Sequence, residues 1–337
     1  MFRRLIAALL LLAVAAVLLI ATWPQLFGLE RRLYVVQFVS FRGLSAALAV
    51  AAVILLVVLA IASRRARRLF VGLAVLLVVF ALAGVAIQSS RGLGDTAFAQ
   101  KTDGSLTILE WNTLGVAPGV GTIARLANNA GADVVVLPET DRAAADTVAS
   151  LMREAGHPMS VHTIAFNQIA KAKSTSVLTS TALGGYHVDQ DAGNTSTLPT
   201  VILQPDDGSG PTIVGVHAVA PQPKEMANWR ADLQFLSTAC SGDDTIMIGD
   251  FNATLDHLSG LGDSPTTTMG ACTDAALQSR NGAVGTWPSR IPALLGAPID
   301  HVMATQNWHV TGMRVVQDLD GAGSDHRPLV VQLSPKG

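Results

Sequence analysis

The sequence predicts a membrane-embedded amino-terminal region followed by a folded α/β domain. Three long apolar runs without a charged residue occupy most of the first ninety positions. Beyond them, short runs of β-branched residues alternate with alanine-rich stretches of helical length, a pattern typical of sheets packed with helices. Charge divides the chain at the same place. Residues 1–92 hold ten arginines and one acid, a net charge of +9, whereas residues 93–337 hold 13 basic and 24 acidic residues, a net charge of −11.

This division excludes several classes of protein. A uniform soluble enzyme, a disordered chain and a collagen-like repeat do not combine 50% hydrophobic residues with so uneven a charge. Two cysteines are too few for a small domain stapled by disulfides. The acidic second part also argues against a basic nucleic-acid-binding module.

The three apolar runs cover residues 5–21, 44–62 and 69–87. Each has 17 to 19 residues, close to the minimum for crossing a hydrocarbon core of roughly 30 Å. Because lipid offers the backbone no hydrogen-bond partners, we predict that all three are transmembrane helices. A cleaved signal peptide is the alternative for the first run. No small-residue cleavage site follows Ala21, so we predict that this run is retained.

Arginines in the short loops indicate the orientation of the spans, since cytoplasmic loops are enriched in basic residues. The loop after the first run contains three arginines, so the prediction depends on a larger cluster between the second and third runs. That cluster consists of Arg64, Arg65, Arg67 and Arg68. We therefore expect a multi-pass protein of the plasma membrane, with a cytoplasmic amino terminus and an extracytoplasmic domain.

We predict three regions: a transmembrane region at 1–88, a Gly/Ser-rich linker at 89–105 and the large domain at 106–337. The expected strands of the domain cover residues 106–111, 133–137, 176–178, 201–204, 212–217, 245–248, 299–303 and 329–333. The expected helices cover residues 123–130, 141–155 and 226–239. Many strands with few helices favour two sheets packed face to face, with helices outside them.

Several of the predicted strands lead into acids, amides or imidazoles. A single Asn or Asp after a strand is usually a turn former or a helix cap. Six polar strand endings in one domain instead indicate a functional site, because they are expected to converge on one rim of the layered fold. The candidate residues are Asn112, Glu139, His217, Asp250, Asn252, Asp300, Asp325 and His326.

These candidates are rich in oxygen donors, which suit Mg²⁺, Mn²⁺ or Ca²⁺. Zinc is disfavoured, because the His and Cys residues lack zinc-type spacing. One or two carboxylates with an amide leave coordination positions open for water and a substrate phosphate. The set is therefore typical of metal-assisted phosphoester hydrolysis.

Six short motifs, in chain order over residues of about 106–333, together resemble the endonuclease/exonuclease/phosphatase (DNase I-like) superfamily. They are Trp-Asn-Thr at 111–113, Pro-Glu-Thr at 138–140, Val-His at 216–217, Gly-Asp-Phe-Asn-Ala at 249–253, Pro-Ile-Asp-His-Val at 298–302 and Ser-Asp-His-Arg-Pro-Leu at 324–329. The resemblance implies a four-layer α/β sandwich and cleavage of P–O bonds that depends on Mg²⁺ or Mn²⁺. With its three preceding spans, the chain is similar to membrane-anchored bacterial members linked to the cell envelope.

The resemblance also implies roles for the candidate residues. Glu139 would be the main metal ligand, assisted by Asn112 and Asp325. His326, oriented by Asp300, would activate the attacking water or hold the phosphate. A carboxylate beside an imidazole fixes the tautomer of the ring and raises its basicity, which agrees with this pairing.

The remaining candidates would act on the phosphate and the nucleophile. Asp250 would position or deprotonate the nucleophile, Asn252 would bind a phosphate oxygen, and His217 would donate to the leaving oxygen or to a non-bridging one. Family members often carry an arginine after the middle strand, and this sequence has none there. The tyrosine and arginine that nuclease members use on the scissile strand have no clear match either. Phosphate contacts would then come from other basic residues, namely Lys171, Lys173 or Arg230.

The expected function is hydrolysis of a phosphate-containing substrate, lipid-linked or in the envelope, beside the lipid bilayer that anchors the chain. A surface nuclease is the alternative, although a domain with a net charge of −11 repels nucleic acid. A non-catalytic membrane scaffold is the third hypothesis.

Cys240 and Cys272 are the only cysteines of the chain, and they bracket the Gly-Asp-Phe-Asn motif. A disulfide between them would fit an extracytoplasmic location, and two buried free thiols are the alternative. Redox catalysis is disfavoured because the chain has no Cys-x-x-Cys pair.

Overall fold

The computed structural model of the protein describes residues 2–94, 97–167 and 169–336. The chain divides into two compact units, Met1–Ser90 and Arg91–Gly337. The helices are α1 Phe2–Thr22, α2 Val35–Ser40, α3 Arg42–Ala62, α4 Arg67–Arg91, α5 Val120–Ala130, α6 Arg142–Glu154, α7 Met226–Ala239, α8 Leu255–Leu258 and α9 Ala275–Gln278. The strands are β1 Leu106–Glu110, β2 Val134–Pro138, β3 Met159–Ala165, β4 Ser174–Ser180, β5 Tyr186–Val188, β6 Val201–Pro205, β7 Thr212–His217, β8 Thr245–Asp250, β9 Leu261–Gly262, β10 Met269–Gly270, β11 Thr273–Asp274, β12 Asp300–Ala304, β13 Trp308–Val315 and β14 Leu329–Pro335.

The first unit consists of apolar helices. α1, α3 and α4 are long and apolar enough to cross a membrane, with a mean hydropathy of 2.9 to 3.0 over their most apolar windows. Only 6% to 22% of those windows is buried, so most of their apolar side chains face outward, as they do in lipid-facing helices. The three apolar runs are therefore confirmed as helices, whereas the short α2 was not predicted.

The second unit contains two six-stranded sheets. The first sheet has the strand order β13-β14-β1-β2-β4-β3, and the second has the order β11-β12-β8-β7-β6-β5. β1 and β2 are parallel, as are β7 and β8, whereas the other pairs of both sheets are antiparallel. Both sheets are therefore mixed, and the predicted α/β fold class is confirmed.

Apolar side chains hold these layers together. Adjacent residues of a strand point to opposite faces of the sheet, so Ile108 and Leu109 of β1 belong to different clusters. Ile108 packs between the two sheets, in a cluster that includes Ile248 of the second sheet. Leu109 packs on the outer face of the first sheet, in a cluster that includes Val148 of α6. On the other side, α7 and the outer face of the second sheet line a common cavity.

The strand register brings polar residues to one edge of the second sheet. Asp300 of β12 lies opposite Asp250 of β8, and Asp250 lies opposite His217 of β7. In the first sheet, Asn112 and Glu139 follow the parallel strands β1 and β2 within two residues. Since parallel strands end at the same edge of a sheet, these two side chains lie near each other.

The segment predicted as a linker is attached to the second unit, and the region boundaries differ accordingly. α4 continues to Arg91, whose guanidinium donates two hydrogen bonds of 2.8 Å to Asp256. Farther on, the backbone N–H of Ala99 donates to the Thr311 carbonyl, and the Ala99 carbonyl accepts from the Gln332 side chain. Glycine and serine content cannot predict such contacts, because all of them are made to distant parts of the chain.

Cys240 and Cys272 form a disulfide that joins residues 32 positions apart, between the end of α7 and the start of β11. We expect the double variant Cys240→Ser, Cys272→Ser to lower the free energy of unfolding by about 3–4 kcal/mol, because an open loop of this length gains conformational entropy in the unfolded state. Thermal unfolding of the full chain in detergent checks this. A reductant should lower the wild-type melting temperature and leave that of the variant unchanged, and equal responses would contradict the bond.

Candidate active site

His326 joins the polar row of the second sheet from the loop that precedes β14. Its Nδ1 lies 2.9 Å from Asp300 Oδ2, and its Nε2 lies 3.8 Å from Asp250 Oδ2. All three side chains are buried. Asp300 therefore fixes the orientation of the ring and holds a proton on Nδ1, so that Nε2 is the nitrogen that faces the site.

Asn112 connects the two sheets. Its amide nitrogen donates to Glu139 Oε1 at 3.2 Å and to Asp250 Oδ2 at 3.0 Å. Glu139 has a φ of 59°, an uncommon conformation for a residue other than glycine, and this turn directs its carboxylate toward Asn112. Ser324 supports the same loop by donating to the Asn112 carbonyl at 2.6 Å.

Asp325 supplies a carboxylate oxygen that has no protein partner. Trp287 Nε1 donates to its Oδ2 at 2.9 Å, whereas its Oδ1 is buried without a hydrogen bond from any described residue. Asn112 lies between Asp325 and Glu139: its carbonyl accepts from Ser324, the residue before Asp325, and its side chain donates to Glu139. An unpartnered buried oxygen beside a second carboxylate fits a divalent cation with oxygen ligands. Glu139 and Asp325 are thus able to hold Mg²⁺ or Mn²⁺. Asn112 Oδ1 accepts from the Leu114 N–H at 3.1 Å, so Asn112 could join them as a ligand only if its amide group turned over.

A second group in the described part of the chain also has metal-like geometry. One ligand atom each from Asp250, Asp300 and His326 lies within 4.8 Å of the others. However, Asp300 already accepts from His326, and Asp250 accepts from Asn112 and from the backbone N–H of Asn252. The carboxylates of this group are therefore already hydrogen-bonded to protein groups.

Asn252 and His217 lie on the other side of Asp250. Asn252 Nδ2 donates to the Ala218 carbonyl at 2.9 Å and lies 3.3 Å from Asp250 Oδ2, so contact with a phosphate oxygen requires one of these bonds to be exchanged. His217 is buried, and no described residue is hydrogen-bonded to its Nδ1.

Burial and neighbouring charges shift the protonation states of the site. Burial, followed by the charge of Asp300, raises the pKa of Asp250 to about 7. Burial alone would lower the pKa of His326, but Asp300 and Asp250 outweigh it and raise this pKa to about 10. Burial, followed by the charge of His326, lowers the pKa of His217 to about 3. Burial also raises the pKa of Glu139. At neutral pH, His326 is therefore cationic and His217 is neutral.

Arg327 has a structural role that the sequence did not reveal. Its side chain is 1% exposed and is paired with Asp320. It donates to carbonyls of the loop that holds Trp287 against Asp325, namely those of Gly285, Ser289 and Ile291. The residue after His326 thus fixes the loop that orients one metal-ligand candidate.

Glu110 is a second residue that the sequence analysis missed. It is the last residue of β1, it is fully buried, and its carboxylate has no hydrogen-bond partner among the described residues. Burial, followed by the charges of Asp300 and Asp250, raises the pKa of Glu110 well above its usual value. The sequence does contain a signal for this residue, because Glu110 is an acid at the end of an otherwise apolar strand. The prediction of a strand over residues 106–111 gave it no separate role.

The raised pKa of Glu110 predicts a pH-dependent destabilisation. The unfolded chain ionises this acid near pH 4.5, whereas the folded chain does not, so stability falls as the pH rises above that value. Glu110→Gln cannot ionise. We expect it to raise the melting temperature at pH 8 by about 2–4 °C or more, equivalent to about 1 kcal/mol, and by less at pH 5. A variant less stable than wild type at pH 8 would show that Glu110 is ionised in the fold.

Comparison with solved structures identifies the same fold. An endonuclease/exonuclease/phosphatase from Beutenbergia cavernae has a TM-score of 0.50 at 19% identity, over 69% of this chain and 72% of that one. Humanised D. rerio TDP2 has a TM-score of 0.52 at 15% identity, over 68% and 99% of the two chains. Truncated Caenorhabditis elegans TDP2 has a TM-score of 0.50 at 14% identity, over 69% and 99%. At these identities, the similarity establishes the fold.

No curated protein sequence matches the chain significantly. The model of the endonuclease/exonuclease/phosphatase family, however, matches residues 109–326, well over half of the chain. The matched segment begins in β1 and ends at His326, so it contains every candidate site residue named above. The chain therefore belongs to the endonuclease/exonuclease/phosphatase family and is a hydrolase of phosphoester bonds.

Proposed function

We propose that the protein is a Mg²⁺-dependent phosphoesterase, anchored in the plasma membrane with its second unit outside the cell. Its substrate is a lipid-linked or envelope phosphate or pyrophosphate. The observation that carries this proposal is that one chain joins three membrane-length helices to a phosphoesterase site. A disulfide in the second unit supports an oxidising, extracytoplasmic location.

The protonation states support the following chemical roles. Glu139 and Asp325, with Asn112 beside them, would hold the cation, which would supply Lewis-acid stabilisation of the phosphate charge. His326, cationic and fixed by Asp300, binds a non-bridging phosphate oxygen through Nε2–H and stabilises the charge that develops in the transition state.

Asp250 is the base. Its pKa of about 7 lets it accept a proton from the attacking water near neutral pH. Neutral His217 donates a hydrogen bond, and keeps its proton, to the leaving oxygen, which departs as an anion and is protonated by solvent. Asn252 binds a phosphate oxygen after it exchanges one of its present hydrogen bonds.

These roles predict a bell-shaped dependence of kcat/KM on pH. Activity requires ionised Asp250 and protonated His326, so it should rise as the pH increases through about 7 and fall as it approaches about 10. Initial rates on a soluble chromogenic phosphodiester, at saturating Mg²⁺, check this. A profile that is flat between pH 5 and 10 would contradict the assignment of both groups.

The charge of the second unit favours a lipid-borne substrate over nucleic acid. Residues 93–337 carry a net charge of −11, and association of such a domain with DNA is opposed by electrostatic repulsion. A membrane anchor also confines the site to the two-dimensional layer in which lipid-linked phosphates occur, which raises their effective concentration.

The proposal is tested with the purified full chain in nanodiscs and Mg²⁺. Three substrates are compared: a lipid pyrophosphate, a soluble chromogenic phosphodiester and plasmid DNA. We expect turnover of the first two. DNA cleavage without lipid turnover would establish the surface nuclease, and no turnover of any substrate would favour the scaffold.

The side of the membrane on which the second unit lies is tested separately. A protease added to intact cells should digest the second unit, because the arginine cluster between α3 and α4 is expected to face the cytoplasm. Digestion only after the membrane is opened would reverse the proposed topology.

A further inference from the structure

The connection between β3 and β4 lies beside the site, and its described residues, 166–167 and 169–173, are here named the hairpin tip. β4 also pairs with β2, where Thr175 lies opposite Pro138. Because β4 begins at Ser174, the hairpin tip extends past the end of β2 that leads into Glu139.

Lys171 connects the hairpin tip to two of the three loops that supply metal-ligand candidates. Its Nζ lies 3.7 Å from Asp141 Oδ2, two residues after Glu139. Its side chain also lies 3.8 Å from the position that a Cβ on Gly115 would occupy, three residues after Asn112. The hairpin tip is therefore part of the rim of the site.

The hairpin tip exposes large apolar side chains. Ile169 is 93% exposed, the highest value for a large apolar side chain among the described residues, and Phe166 is 44% exposed. Leu114, in the neighbouring loop after Asn112, is 45% exposed. Burial of such side chains is favourable, so a partner that covers the hairpin tip is stabilised by removing them from water.

The hairpin tip lies in a segment of the sequence that is basic, although Asp141 of the neighbouring loop faces Lys171. The stretch of residues 155–188 contains no acid, although residues 93–337 contain 24 of them. Lys171 and Lys173 lie within this stretch, next to the two apolar side chains. Exposed apolar residues flanked by lysines are the combination that binds anionic lipid surfaces.

We propose that the hairpin tip inserts into the headgroup layer of an anionic phospholipid bilayer. Phe166 and Ile169 enter the boundary of the acyl chains, and Lys171 and Lys173 contact lipid phosphates. Such insertion would bring the rim of the site to the layer that holds lipid phosphate groups. The inference rests on the proposed membrane anchorage and deepens the proposed function, since it names the segment that recognises the lipid surface.

Insertion is tested on the full chain, with a fluorophore as the readout instead of activity. Ile169→Cys is labelled with an environment-sensitive dye, which the disulfide-bonded native cysteines do not take up. In nanodiscs with anionic lipid, we expect blue-shifted emission and quenching by spin-labelled lipids. Lys171→Glu with Lys173→Glu should reduce both effects, and a label at Leu277→Cys, exposed elsewhere on the unit, should show neither.

Emission from position 169 that is the same in detergent, zwitterionic and anionic nanodiscs would overturn the proposal. Burial of the label that depends on protein concentration in detergent would instead assign the hairpin tip to a contact between copies. The same burial caused by inorganic phosphate alone would assign it to free phosphate.

A second measurement links the hairpin tip to the substrate. In Phe166→Ser with Ile169→Ser, the ratio of turnover on vesicle-borne lipid to turnover on the soluble phosphodiester should fall about tenfold, whereas Leu277→Ser should keep the wild-type ratio. An unchanged ratio would contradict a role in lipid recognition. If wild type hydrolyses no lipid at all, the proposed substrate is wrong, while the fluorescence still decides whether the hairpin tip inserts.

Discussion

Replacement of His326 by alanine is expected to lower kcat by about 10³-fold on every substrate that the protein hydrolyses. The imidazolium lies between Asp300 and Asp250, and its Nε2 is the cationic donor of the site. Its loss removes a charged hydrogen bond to the transition state, an effect worth about 10²–10³ in rate. Asp250 also loses the cation that lowers its pKa, so less of this base is ionised near neutral pH.

The stability of this variant requires its own measurement, since Asp300 is left buried without its partner. The pKa of His326 is raised in the fold, so its contribution to stability is complete below pH 6.5 and is lost as the pH rises through about 10. Activity and circular dichroism should therefore be compared at pH 6.5, where the variant differs most from wild type.

Asp300→Asn provides the matched control for His326→Ala. If Asp300 acts only by orienting His326, its replacement should lower kcat in wild type and change little in the His326→Ala background. Independent, additive losses would show that Asp300 has a separate role. A folded His326→Ala protein with wild-type kcat would remove His326 from the chemistry altogether.

Removal of divalent cations is expected to abolish activity, and added Mg²⁺ or Mn²⁺ to restore it. A site with the carboxylates of Glu139 and Asp325 fits these ions, and Asp325 Oδ1 has no hydrogen bond from any described residue. In the folded protein, Mg²⁺ at 100 times its dissociation constant should stabilise the second unit by about 2.7 kcal/mol, measured as a rise in melting temperature.

Glu139→Gln tests the contribution of the metal ion to activity separately from that of the other site residues. It keeps the side-chain shape but removes the charge beside Asn112 and Asp325, so both activity and the Mg²⁺-induced rise in melting temperature should decrease. We expect kcat/KM to fall about 10²-fold or more, with partial recovery at high Mg²⁺. Glu154→Gln, the same change at an exposed acid at the end of α6, is the control. Full activity in the presence of excess chelator would refute a metal-dependent mechanism.

The sequence predicts local structure well where hydrophobic periodicity is strong. The helix at 226–239 and the strand at 212–217 have the predicted bounds, and the three apolar runs are helices. β3 and β13 were missed, because their alternation is interrupted by His, Thr and Gly and they are held by neighbouring strands instead. The motifs at the strand ends predicted which residues would meet, since register and parallel pairing carry strand ends to a common edge.

The sequence could not predict features that depend on distant neighbours. The pKa of Glu110 is raised by burial and by the charges of Asp300 and Asp250, which are more than a hundred residues away in the sequence. Arg327 is identified as a loop support only through the carbonyls it contacts. The exposure of the hairpin tip likewise follows from strand pairing, and the residues themselves resemble an ordinary short strand.

The hydrogen bonds of Asn112 have a consequence for how the enzyme fails. One small amide joins Glu139, which belongs to one sheet, to Asp250, which belongs to the other. Displacement of reacting groups by about 1 Å can cost 10²-fold in rate, so a slight slip of one sheet along the other would stop catalysis while both remain folded. During heating or denaturant titration, activity should therefore be lost before the second unit unfolds. Partially opened molecules would then be inactive.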